Sequence, residues 1–332
     1  MKIPFLYRRL VEGVPGSSGT LSEPNGTAEP RFALQSTVNW MRALAILSGD
    51  AGSDWAYMLG LYARIERATL SEAAVNTVFE QLLMALHHLS ALRAIVRARS
   101  DYDLARIGIM TWYYGIYCAA SAMVAAKDGS QQDDHTATAN QWDRQIAANG
   151  LAAKPFDLRL TTMVKKDADA EITVMRGTSR ADVNSRPVSL EDARGACASY
   201  LNGTRAYYEY AMCERLKSRE LKALNLSDFR TKKARELRDE RLQGKSLGFV
   251  HQAFRYRGKA NYRDALFLTY EAQVGTVLDG FTADLETVLR AFVTMAGAFC
   301  SMRLPSNEWN AFTRDMETHL KLAVMPGEIW SA

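Results

Sequence analysis

The sequence predicts an all-α helical bundle carrying a small β-hairpin insertion, and three observations lead there. Apolar residues recur at three- and four-residue spacing along most of the chain. Serine, aspartate or threonine stands ahead of many of those runs, where a side-chain oxygen can cap a helix. One stretch, within residues 151–190, changes to a period of two.

In chain order, residues 11–35 hold Gly13, Pro15, Gly16, Gly19, Pro24, Gly26 and Pro30 among serines, so 1–35 reads as an extended arm. Thr37 to Leu47 is a short helix with Trp40, Leu44 and Leu47 on one face. Asp54 caps a second, reaching about Ala68. Ser71-Glu72-Ala73-Ala74 opens a third to about Arg99, striped by Val75, Val78, Leu82, Ala85, Leu89 and Leu92. After Asp101-Tyr102-Asp103 comes a helix apolar on most sides, the mark of a buried centre. Its small residues Ala119, Ala120, Ala122, Ala125 and Ala126 let neighbours approach, and Lys127-Asp128-Gly129-Ser130 ends it. Asp134-His135 starts the next helix, which ends near Gly150, so 36–150 forms the first part of the core.

Phe156, Leu158, Leu160 and Thr162 then alternate with polar residues, and Ile172 and Val174 alternate again beyond Asp167-Ala168-Asp169-Ala170. That predicts the hairpin of the 151–190 insertion. Ser189-Leu190-Glu191-Asp192 resembles a capping box for a helix to about Leu224, and Ser227 or Asp228 caps another from Phe229 to about Gln243. These fill a basic extension, 191–250. The second part of the core, 251–332, holds a helix from Asn261 to about Gln273, a long helix from Thr282 and a final helix after Ser306 or Asn307.

Composition narrows the function. The 332 residues are 48% apolar and 23% charged, ordinary for a folded domain with a sizeable core. No apolar run reaches about 18 residues and no secretory h-region opens the chain, so neither a membrane span nor a signal peptide is expected. Cys118, Cys197, Cys213 and Cys300 are scattered without Cys-x-x-Cys spacing, which points to reduced thiols in a cytoplasmic protein and to no metal site. Dinucleotide, Walker, zinc-protease and esterase motifs are absent from the sequence, and no cofactor is expected. The net charge of +4 is uneven. Arg205 to Arg263 holds 16 Lys/Arg against 7 Asp/Glu, so the positive field belongs to one region.

Within that region Lys232, Lys233, Arg235 and Arg238 read either as a solvated, salt-laced face or as a phosphate-binding one. Arg255, Tyr256, Arg257, Lys259 and Arg263 interleave cations with rings and hold no acid, a mix suited to phosphate contact and base stacking on RNA or single strands. His87 and His88 lie among leucines, where at least one must approach the core, and adjacent helical residues cannot form a metal pair. His251, in the basic aromatic stretch, reads as a contact to phosphate or base, or as a plain structural residue.

Trp112-Tyr113-Tyr114-Gly115-Ile116-Tyr117-Cys118-Ala119-Ala120-Ser121-Ala122-Met123, followed after a loop by His135, resembles a helix of the HEPN superfamily, all-α domains linked to nucleic acids. Arg257-Gly258-Lys259-Ala260-Asn261-Tyr262 is similar to that branch's later Arg-x-x-Ala-Asp-Tyr step, with Asn261 in place of the acid. The resemblance implies an HEPN-like core split by an insertion, and an RNA-acting effector of a prokaryotic defence or toxin system, working as a homodimer or within a protein complex. Ribonuclease members carry Arg, four to six residues, then His. Here Arg314 and His319 fit that spacing, although five helical residues turn them about 140° apart. The implied chemistry is metal-independent, with a 2′-hydroxyl attacking the adjacent phosphate, Arg314 offsetting charge and His319 moving the proton. His135 is the second candidate, with Arg257 or Arg106 as the arginine that could meet it in space. The alternative is a catalytically silent module that binds nucleic acid or protein, and a third reading is a structural scaffold.

Overall fold

Side-chain oxygens cap five of the described helices. The computed structural model describes residues 22–23, 26–27, 30–49, 51–132, 134–262 and 277–331, and over these the chain is all-α. Helix α1 (Pro30–Ser48) begins inside the segment expected to be an arm, with proline at its first position, where a missing N–H costs nothing. Asp54 accepts a 3.0 Å bond from the Tyr57 N–H at the head of α2 (Trp55–Tyr62), and Ser71 caps α3 (Glu72–Ala98) through the Ala74 N–H. Helix α4 (Asp101–Asp128) ends at Gly129, whose φ of 77° is the left-handed C-cap that glycine adopts without strain. Next come α5 (His135–Gln145), capped by Asp134, α6 (Lys165–Arg176), and α7 (Leu190–Leu216), capped by Ser189 and continuing into a π-turn over Lys217–Leu221. Four further helices follow: α8 (Lys232–Gln243), α9 (Phe249–Tyr262), α10 (Phe281–Arg303) and α11 (Ser306–His319). The short α12 (Pro326–Ile329) closes the chain.

The centre of the core is α4, lying between α3 and α10, with α9 across it. Asp101, at the start of α4, accepts bonds from the N–H groups of Gly280 and Thr282 and so ties down the head of α10. Gly115 makes the α4–α10 crossing possible, because a Cβ there would stand 2.7 Å from a Leu289 methyl. Residues on both sides of the expected insertion therefore share one hydrophobic core. Helices α4 and α10 are long and apolar enough to cross a membrane by length and composition, but most of each is packed inside the fold. All four cysteines are unpaired; Cys118, Cys197 and Cys300 are buried, and burial raises their thiol pKa values.

The hairpin expected within 151–190 is not there. Pairing among the described residues is confined to a two-rung contact of Ser22–Glu23 with Gly26–Thr27 and one bridge between Leu160 and Leu247. Residues 165–176 form α6, and the Asp167–Ala170 stretch read as a turn is its N-terminal half. The alternation of Ile172 and Val174 spans too few residues to fix a period. Ala168 and Ile172, four apart, enter a small satellite core with Leu160, Ala198, Leu201 and Leu247, while Val174 points to solvent. Two helix limits also differ. The cap of α8 is Thr231 rather than Ser227 or Asp228, and α9 runs unbroken through Gly258 to Tyr262, whereas α7 with its π-turn carries the helical path to residue 223, as expected. Most of the helix expected from Asn261 to Gln273 lies outside the described residues.

Candidate nucleic-acid interface

Helix α9 has two working faces. Phe249, Ala253, Tyr256 and Ala260, at three- and four-residue steps, are buried in the core. Tyr256 packs 4.8 Å from Trp40 and 5.5 Å from Trp112, and its hydroxyl donates to the Thr37 carbonyl. It is a core residue, which removes it from the nucleic-acid-binding set. The opposite row, His251, Phe254, Arg255 and Gly258, faces a cleft of about 650 Å³. The far wall is α7, presenting Tyr207, Tyr208, Met212 and Arg215; Asn140 of α5 and Lys245 of the loop between α8 and α9 also line it.

The charge of this cleft is one-sided. Arg215, Lys245, Arg255, Arg257 and Lys259 line it, and no Asp or Glu is among the described lining residues. Arg255 is buried, its guanidinium 5.6 Å from the Tyr200 ring and 5.2 Å from the Tyr207 ring, with Nη1 donating to Thr204. Lys259 is nearly buried. Arg215 and Lys245 are exposed, with no ion pair to any described residue. Neither was singled out in sequence. Arg215 stands one and two helical turns beyond Ala211 and Tyr207–Tyr208, in the stretch whose charge balance is most positive.

His251 forms the floor. Nδ1 accepts from the Gly248 N–H at 3.2 Å, so Nε2 carries the proton and donates to Asn140 Oδ1 at 3.0 Å. Burial, and secondarily the Arg159 charge, hold its pKa down to about 4, against a partial upward pull from Asp143. Both ring nitrogens are thus engaged within the fold, and the imidazole is buried. Since the folded state favours the neutral ring, its contribution is complete above the unfolded value of 6.5 and is lost as pH falls towards 4. Between pH 7 and pH 4.5 the expected loss is about 2 kcal/mol. Urea unfolding at pH 7 and at pH 4.5 measures it, and His251→Gln should show the shallower pH dependence.

At the cleft's edge the structure joins His135 to Arg257. The imidazole lies within 4.5 Å of Tyr117, 5.4 Å of Tyr113, 5.8 Å of Tyr114 and 5.7 Å of Phe254, centroid to centroid. The Arg257 guanidinium stacks over Tyr113, Phe254 and Tyr114 at 5.0, 5.3 and 5.9 Å. Burial first, and the Arg257 charge second, lower the His135 pKa, so the ring is neutral at pH 7. His135 Nδ1, Arg257 Nε and the Tyr113 hydroxyl are all buried without a hydrogen-bond partner, three orphaned polar groups in one aromatic box. Arg106 is exposed elsewhere on α4.

The remaining candidates lie apart from the cleft. Arg314 and His319 are exposed on α11, and His319 Nδ1 sits 3.0 Å from the Asp315 carboxylate. On α8, Lys232 pairs with Glu236, Arg238 with Asp239 and Arg241 with Glu220, while Arg235 donates to the Arg230 carbonyl and Lys233 is exposed. Lys232, Arg238 and Arg241 are thus ion-paired on an exposed helix. Arg263 lies outside the described residues. Of the other histidines, His88 is half-buried against Tyr114 and His87 is exposed. Among the described residues no three His, Cys, Asp or Glu side chains converge on a metal site.

Fold and cleft together define an all-α bundle with a cationic, ring-walled groove. No family model matches the chain, and no curated protein or solved structure shows significant similarity to it.

Proposed function

We propose that the protein binds RNA or another single-stranded nucleic acid along the groove between α7 and α9 and cleaves it without metal at the His135–Arg257 box. The observation that carries this reading is the groove itself: five cations, aromatic walls and no described acid. Phosphates pair with Arg215 and Lys245, and bases pack on Tyr207, Tyr208 and Phe254. In the cleavage step neutral His135 accepts the 2′-hydroxyl proton, the freed oxygen attacks the adjacent phosphorus to form a 2′,3′-cyclic phosphate, and the 5′-oxygen leaves, taking its proton from solvent water. Arg257 offsets the charge gathering on the phosphoryl oxygens. The resemblance to the HEPN superfamily supports a role as an effector of a prokaryotic defence or toxin system, acting as a homodimer or in a complex. Arg314 and His319 enter only as a site shared between two chains. One observation favours the silent binding module as second reading. His135 is the sole imidazole in the box, and burial keeps the Tyr113 phenol protonated.

Fluorescence anisotropy with a labelled single-stranded RNA tests the groove. Affinity should fall steeply with salt between roughly 50 and 200 mM. The double variant Arg215→Glu/Lys245→Glu should bind at least about tenfold more weakly and lower the salt slope by about 1.4. Lys232→Glu/Arg235→Glu, on the ion-paired face, should change affinity little. Salt-insensitive binding, or equal losses in the two double variants, overturns the reading.

A further inference from the structure

A second, smaller cavity of about 260 Å³ opens on the other side of the His135 box. Helix α3 gives it Thr77 and Gln81, one turn apart; α4 gives Tyr117, Ser121 and Val124; the loop Ser130–Gln132 closes it. Tyr117 is the shared wall, lining this cavity while its ring lies 4.5 Å from His135. The lining is polar without charge among the described residues, unlike the groove.

Its hydrogen-bonding capacity is unbalanced. Thr77 Oγ1 already donates to the Ala73 carbonyl and Ser121 Oγ to the Tyr117 carbonyl, so each offers only lone pairs inward. Gln81 Oε1 is buried with no partner, and so is Ser130 Oγ. A buried carbonyl oxygen left unmatched forfeits its solvation, so the cavity favours an occupant that supplies N–H donors. A volume just below that of sites for drug-sized ligands suits one planar ring system, and Tyr117 offers a face to stack it on.

We infer that this cavity reads the base of a nucleotide whose phosphate lies at Arg257, and that it selects bases bearing an exocyclic amino group over uracil. The inference rests on the groove being a nucleic-acid site. Gln81 Oε1 accepts one N–H of the exocyclic amino group, the Thr77 or Ser121 hydroxyl oxygen accepts the other, and Tyr117 stacks the ring. Adenine, cytosine and guanine carry that amino group; uracil has a single N3–H flanked by two carbonyl oxygens, which would face these acceptors. The groove then sets affinity and this cavity sets the sequence at the cleaved step.

The test uses uncharged probes. Saturation-transfer NMR with adenosine, guanosine, cytidine and uridine on the full chain should show amino-bearing nucleosides binding at least about fivefold tighter than uridine. That binding should be insensitive to salt. Gln81→Ala should abolish the preference, Tyr117→Leu should abolish binding, and Tyr117→Phe should keep it; thermal melts confirm folding of each variant. The inference is overturned if no nucleoside binds, if uridine binds equally well, or if Gln81→Ala keeps the preference. Oligonucleotide binding measured alongside separates the two ideas. Nucleoside binding without salt-sensitive RNA binding sinks the groove but keeps the cavity, and the reverse sinks the cavity alone.

Discussion

His135→Ala should lower metal-free RNA cleavage by about 10²–10⁴-fold, the usual contribution of a positioned general base. The neutral ring is what makes the residue useful. Burial and the Arg257 charge keep His135 below the ordinary histidine value, so its base form dominates at neutral pH. The acidic limb of the rate profile should therefore lie below about 6.5. Arg257→Gln removes one of the two downward influences and should move that limb upward, though not fully, because desolvation is the larger cause. It should also slow cleavage. Arg257→Lys should not rescue the rate, since a lysine ammonium lacks the delocalised, forked guanidinium that lies over Tyr113 and Phe254. Arg314→Ala and His319→Ala separate the sites: both residues are solvent-exposed on α11, and cleavage by a single chain should survive their loss. An inactive wild-type protein that still binds RNA would make this the silent module.

Trp40→Ala should cost about 3–5 kcal/mol of stability, with a fall in Tm on the order of 10 °C. Trp40 is fully buried where α1, α4, α7 and α9 meet. Its ring stacks on Tyr200 at 4.1 Å, lies 4.8 Å from Tyr256 and packs edge-on to Trp112 at 6.0 Å. Removing it leaves a hole bounded by large rings that are pinned by other contacts, so the site cannot collapse to fill it. Trp40→Phe should cost clearly less. Lys232→Ala, on the exposed α8 surface, should stay within about 0.5 kcal/mol of the parent. Urea titrations give all three values, and a Trp40→Ala cost below about 1 kcal/mol would show that the junction repacks.

The local signals were legible in sequence. Asp54, Ser71, Asp134 and Ser189 all cap the helices expected of them, because a cap is decided by three or four neighbouring residues. The central position of α4 followed from its being apolar on most sides. Partners distant in sequence were not legible. Residues 249–263 interleave rings and cations, and nothing local says which row turns inward. Packing against α4 decides it, burying Tyr256 and leaving Phe254 at the groove. His135 and Arg257 stand more than a hundred residues apart, and only the docking of α9 on α4 and α5 brings them into one box. The hairpin misread came from a window too short to distinguish periods of two and 3.6, overruled by the satellite core beneath α6.

Because α9 is at once a core helix and the floor of the groove, any molecule seated there clamps an element on which the whole bundle depends. Occupancy should thus register as heat resistance, in proportion to RT ln(1 + [L]/Kd). A melting-temperature survey of short RNAs, DNAs and nucleotides would rank candidate ligands even if no turnover were ever detected.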